Sequence, residues 1–181
     1  MPRFFFAVGI EGSYPAISDG RGGILRQDEF ESTGHYERWQ EDLELVKGLG
    51  VSHVRWGPPL HRTWLGPGHH DWAFCDEVLR RMERLGLTPI LDLCHFGMPD
   101  WLGNSFQNPD FPHAFAEFAA ATARRYPRVR LFTPVNEIYI CARFSAELGW
   151  WNERMTSRGI DIATPQPEED RPAGGVWEAG P

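Results

Sequence analysis

Long hydrophobic runs, basic charge and cysteine are all scarce in this 181-residue chain, and each shortage excludes something. No stretch approaches the roughly 18 consecutive apolar residues of a membrane-spanning helix, so no transmembrane segment is expected. The early run Phe4-Phe5-Phe6-Ala7-Val8-Gly9 is apolar but short. It leads into Glu11 without a small-residue cleavage site and does not read as a secretory signal. Lysine and arginine together number 18 against 25 aspartates and glutamates, a formal net charge of −7. Such a balance is poorly suited to nucleic acid or an anionic membrane as partner. Three cysteines, Cys75, Cys94 and Cys141, include no CxxC pair and cannot all be paired. Buried free thiols in a reducing, cytoplasmic setting are expected.

What the chain does contain is an alternation of strand and helix patterns. Phe4 to Gly9 reads as a buried strand, and Gly12 to Thr33, rich in Gly, Ser, Pro and Asp, as a long loop. Tyr36, Trp39, Leu43, Val46 and Leu49 recur at helical spacing, with acids early, Lys47 late and Gly50 as a stop. Val51 to Trp56 forms the second strand. A helix from Asp71, a plausible N-cap, to Gly86 follows, then a third strand over Thr88 to Cys94. A third helix opens at Pro112, and Val129 to Val135 is the fourth strand. Short helix-to-strand joints and longer strand-to-helix loops predict an α/β fold with a parallel sheet. Ile138 to Trp151 is apolar and predicts a helix from about Arg143. Residues 1–155 are expected to form one domain and 156–181, with Pro165, Pro167 and Pro172, an irregular tail.

In such a fold the loops at the carboxyl ends of the strands carry the chemistry. Glu11 and Tyr14 follow strand one, and Arg55-Trp56 end strand two. Cys94-His95-Phe96 and Pro99-Asp100-Trp101 follow strand three, and Thr133-Pro134-Val135-Asn136-Glu137 ends strand four. A carboxylate to donate a proton, an amide, a histidine and an arginine to hold hydroxyls, and indoles to stack are the parts glycoside hydrolysis needs. By chemistry alone the same rim could take any polyol or small acid. His69-His70-Asp71 is not read as a metal site, because adjacent histidines on one loop do not converge on one ion. No cofactor is expected.

At these residues the sequence resembles glycoside hydrolase family 1, the β-glucosidase family of TIM (β/α)8 barrels with catalytic carboxylates on strands four and seven. The matching segments are His35-Tyr36-Glu37-Arg38-Trp39-Gln40-Glu41-Asp42, Val54-Arg55-Trp56, His95-Phe96-Gly97-Met98-Pro99-Asp100-Trp101-Leu102 and Thr133-Pro134-Val135-Asn136-Glu137. The resemblance implies Glu137 as general acid/base, Asn136 as donor to the sugar 2-hydroxyl and His95 as a sugar ligand. It implies that Arg55 holds the nucleophile and that Trp101 packs near the substrate. Ile138 stands where the family has proline, and Glu11 near where it offers glutamine.

The resemblance covers about residues 4–153, strands one to four, and the segment bearing the strand-seven nucleophile has no counterpart. The expected architecture is therefore a (βα)4 half-barrel, completed by oligomerisation as a homodimer. Its open edges and an inner face bearing Val54, Ile90, Leu91 and Val135 motivate that expectation. Three functions fit: a β-glycoside hydrolase using Glu137, an inactive carbohydrate-binding or structural half-barrel that self-assembles, and a small promiscuous hydrolase using Glu137 and His95.

Overall fold

The computed structural model describes residues 4–151 apart from 20, 22 and 104, so the expected tail lies outside the described residues. Strands β1 (Ala7–Ile10), β4 (His53–Trp56), β7 (Thr88–Asp92) and β8 (Leu131–Thr133) form a four-stranded sheet in that order. All three pairings are parallel. Helices α2 (His35–Gly48), α4 (Ala73–Leu85) and α5 (Phe111–Arg125) form the crossovers between consecutive strands. The parallel (βα)4 arrangement read from the sequence is the one observed.

Each crossover helix forms where its apolar stripe and stop signals put it. Helix α2 buries His35, Trp39, Leu43 and Val46, spaced to fall on one face. Helix α4 buries Cys75, Val78 and Met82 and ends on Gly86, which takes the left-handed conformation at φ 67°. Its start lies two residues beyond Asp71, whose Oδ1 accepts the Ala73 amide at 2.9 Å. These faces meet Val54, Trp56, Leu91 and Leu93 in the main core.

Strand alternation then decides what the concave face carries. The register aligns Gly9 with Arg55, Arg55 with Ile90, Ile90 with Leu131 and Asp92 with Thr133. Partners in register share a face, so this layer is a mixture of polar and apolar groups. The expected apolar inner face is corrected: Val54 and Leu91 point to the helices, and Val135 packs in a second cluster with Trp64, Cys94 and Phe118. The period of two does not by itself say which parity faces inward when both faces are covered.

Other differences have local causes. Phe4 to Phe6 lie outside β1 and are exposed, because the partner strand begins only at His53, on whose ring Phe5 stacks at 4.0 Å. The expected long loop contains a hairpin, β2 (Ala16–Ser18) with β3 (Ile24–Arg26), and helix α1 (Glu29–Thr33). Asp19 Oδ1 accepts the Arg21 and Gly23 amides in the hairpin turn, and Asp28 caps α1 through the Phe30 and Glu31 amides. His69-His70 is β6, paired with β5 (Trp64–Gly66) after the short helix α3 (Leu60–Thr63). The helix expected from Arg143 begins earlier, as α6 (Ile138–Cys141), and continues as a π-helix over Ala142–Glu147.

The first loop is clamped onto the third. Tyr14 donates its amide to the Phe96 carbonyl at 2.9 Å, and the Tyr14 ring stacks on His61 at 3.8 Å. Gly97 permits this contact: its φ is 78°, and a Cβ there would lie 1.9 Å from the Tyr14 carbonyl oxygen. Gly97→Ala should therefore cost about 2–4 kcal/mol, from the left-handed backbone together with the overlap. Gly48→Ala, which meets nothing within 4 Å at the end of α2, should gain up to about 1 kcal/mol. Urea unfolding of the two variants checks both signs.

Candidate functional site

The site assembles at the carboxyl ends of the four parallel strands. Alternation that sends Val54 and Trp56 to the helices leaves Arg55 on the concave face. Two residues beyond Ile90 on the next strand, Asp92 faces the same side and lies almost wholly buried. Arg55 Nη2 meets Asp92 Oδ2 at 2.5 Å and donates to Asn136 Oδ1 at 2.6 Å. Its Nη1 lies 3.8 Å from Glu11 Oε1.

His95 is the second hub. Its Nδ1 meets Asp92 Oδ2 at 2.7 Å, which fixes the ring plane, and its Nε2 faces Glu11 Oε2 at 3.2 Å and Asn136 Nδ2 at 3.3 Å. Asn136 is buried, and its backbone N–H donates to the Cys94 carbonyl at 2.8 Å, tying the end of strand four to the end of strand three. Both ends of its side-chain amide are thereby set by Arg55 and His95. Gly57 lets the β4 end come close to β7, since a Cβ there would lie 2.1 Å from the Asp92 carbonyl oxygen.

Glu137 follows with φ 41° and ψ 59°, a left-handed conformation uncommon for a residue with a side chain. The turn carries the chain out of the sheet into α6, whose Cys141 amide bonds the Glu137 carbonyl at 2.9 Å. The Glu137 side chain is exposed, and among the described residues its carboxylate forms no hydrogen bond or ion pair. An exposed carboxylate beside a rigidly held amide can exchange a proton with a bound group.

The nearby thiols do not offer a nucleophile. Burial pushes the Cys141 thiol up to about 11, and fully buried Cys94 lies well above the ordinary thiol range. Trp101 stands apart from the hydrogen-bonded cluster: its indole N–H donates to the Trp64 carbonyl at 2.8 Å and its ring meets Trp64 edge-on. Of the residues singled out in the sequence, the structure thus joins Glu11, Arg55, His95 and Asn136, with Glu137 adjacent. Asp92 joins them from within the third strand, facing inward and paired with Arg55. The anchoring contacts of Asp28 and of Asp100, which the sequence placed only on the loop after strand three, were not visible in the sequence. Asp28 bonds Tyr36 and His61, and Asp100 pairs with Arg26, through contacts distant in the chain.

A (βα)4 sheet with this rim is half of a TIM-barrel fold of the glycosidase kind. The chain belongs to glycosyl hydrolase family 1, whose model matches residues 10–156. It is 26% identical over 145 residues to the probable inactive beta-glucosidase 14 of Oryza sativa subsp. japonica, covering 75% of this chain and 27% of that protein. It is 30% identical over 140 residues to the thermostable beta-glucosidase B of Thermobispora bispora, covering 74% of this chain and 28% of that protein. The GH1 beta-glucosidase structure from Exiguobacterium antarcticum B7 superposes with a TM-score of 0.63 at 23% identity, over 82% of this chain and 38% of that one. The chain thus spans between about a quarter and a half of the length of such relatives.

The geometry separates two carboxylates by their energetic roles. Asp92→Asn removes the buried counter-charge of Arg55 and should cost about 3 kcal/mol of stability. Glu11→Gln, at a half-exposed position, should change stability by about 1 kcal/mol or less. Denaturant midpoints of the two variants compare them directly.

Proposed function

We propose that this chain carries the sugar-binding and proton-donating side of a β-glycosidase site, with Glu137 as general acid/base. The observation that carries this reading is an exposed Glu137 one residue beyond Asn136, whose side chain is held by Arg55 and His95. In its protonated form Glu137 gives its proton to the glycosidic oxygen as that bond breaks. The Asn136 amide and the His95 ring would take the sugar hydroxyls. Desolvation of the buried part of the rim strengthens each of these contacts.

Hydrolysis also needs a second carboxylate, about 5–5.5 Å from the first for retention or about 6.5–9.5 Å for inversion. By analogy with the family it would stand on a seventh strand, and the four parallel strands of the described residues carry none in that place. The open edges of β1 and β8 suit a complementary half, and a second copy across a two-fold axis is the occupant we propose. In that assembly the partner's third strand takes the strand-seven place, with its acid engaged by arginine and histidine. Slow turnover with intact sugar binding is the consequence. The second reading, a carbohydrate-binding half-barrel without turnover, draws on the same engagement of Asp92. His95 is read as a sugar ligand rather than an independent base, because buried Asp92 holds its Nδ1 and leaves only Nε2 at the rim, against Glu11 and Asn136. Free buried thiols support a reducing, cytoplasmic setting.

The test pairs turnover of aryl β-glucosides with titration by methyl β-glucoside, in wild type and Glu137→Gln. Weak wild-type turnover that disappears in the variant, with saturable glucoside binding in the wild type, is expected. Turnover equal in both proteins would remove Glu137 from the mechanism. Sedimentation of the same samples at micromolar concentration should show a dimer, and a monodisperse monomer would refute closure by a second copy.

A further inference from the structure

We propose that Glu11 makes the rim selective for protonated amino sugars over neutral ones, and that it disfavours phosphorylated ones. This deepens the sugar-site reading above and rests on it. The argument is one of charge and access.

The buried layer of the rim is balanced within itself. Arg55 lies 2.5 Å from the Asp92 carboxylate, whose side chain is only 4% exposed, and its other short contact is the Asn136 oxygen at 2.6 Å. Asp92 also holds His95 through Nδ1 at 2.7 Å. The one arginine of the cluster, its side chain 23% exposed, therefore has its charge offset by the Asp92 anion, which lies beneath the surface out of a ligand's reach.

Glu11 lies above that layer. Its side chain is 55% exposed, with Oε2 at 3.2 Å from His95 Nε2 and Oε1 at 3.8 Å from Arg55 Nη1. The longer contact exceeds hydrogen-bond length, so Oε1 keeps its acceptor capacity toward an incoming group. Glu137 is a further exposed carboxylate at these strand ends, and among the described residues it has no cationic partner, whereas exposed Asp100 is paired with Arg26. A sugar settling against His95 and Asn136 thus meets carboxylates whose charge is open to it, while the guanidinium charge is already offset.

Three ligand classes respond differently to such a surface. Neutral hydroxyls donate to the carboxylates and find adequate partners. An ammonium group donates and also gains Coulomb attraction, whereas a phosphate is repelled. Glu11 is the discriminating residue of the two, because Glu137 must bind a proton to act as an acid and Glu11 need not.

The full chain is titrated at low salt and about pH 6, where a sugar amine is protonated. The probes are methyl β-glucoside, methyl 6-amino-6-deoxy-β-glucoside and glucose 6-phosphate, in wild type and Glu11→Gln, so that the 2-hydroxyl is kept in all three. In the wild type the amino sugar should bind about fivefold tighter than the neutral glucoside, and the phosphate more weakly than either. The amino-to-neutral ratio should fall to about one in Glu11→Gln, and should shrink in the wild type as salt is raised. Equal affinities for the amino and neutral sugars in the wild type would overturn the inference. A preference that persists in Glu11→Gln, or that ignores salt, would also overturn it. Either result leaves the sugar-site reading standing. Failure of the neutral glucoside to bind the wild type at all would remove that reading, and this inference with it.

Discussion

A guanidinium on the inner face of a parallel sheet requires an anion beside it, and that requirement organises this molecule. Arg55 reaches the concave side because its neighbours Val54 and Trp56 are claimed by the helix-facing core. Asp92 meets it from the next strand, and the pair then fixes everything around it. Asn136 is oriented by Arg55, His95 by Asp92, and each of these by the other. Removing water from such a pair is costly, and the cost is offset only when the remaining lone pairs and N–H groups find partners. The convergence of three strand ends on one arginine supplies most of them. Asp92 Oδ1 and Arg55 Nε, both buried without a hydrogen bond, mark where that satisfaction is incomplete.

Much of this could be read from the chain because helices and parallel strands announce themselves locally. The stripe through Trp39, Leu43 and Val46, the stop at Gly86 and the apolar strand from Pro89 each reflect contacts the residues make with near neighbours or with one shared core. Once the strands were placed, their carboxyl ends nominated Glu11, Arg55, His95, Asn136 and Glu137. The structure brings the first four together and leaves Glu137 beside them, with no side-chain hydrogen bond or ion pair among the described residues.

What escaped the sequence depends on partners far along the chain. Helix α1 is only five residues long, too short to show a period, and its cap Asp28 is fixed by Tyr36 and His61. The hairpin at Ala16 and Ile24 rests on a turn closed by Asp19, whose flanking strands are three residues each. The mixed inner face is not legible in the sequence because covered strands are apolar on both sides, so Val54 and Leu91 carry no mark of the face they choose. Trp101 could be placed on its loop, but that its indole N–H goes to the Trp64 carbonyl is a tertiary fact.

The central claim is that the rim around Arg55 is built to hold a sugar beneath Glu137. A crystal structure of the full chain soaked with a neutral methyl β-glucoside tests it most directly. The account predicts an ordered hexose within hydrogen-bond distance of the Asn136 amide and the His95 ring, with its glycosidic oxygen toward Glu137. A hexose bound instead in the groove between α4 and α5, lined by Arg80, Arg124 and Arg128, with the rim empty at saturating ligand, would contradict it.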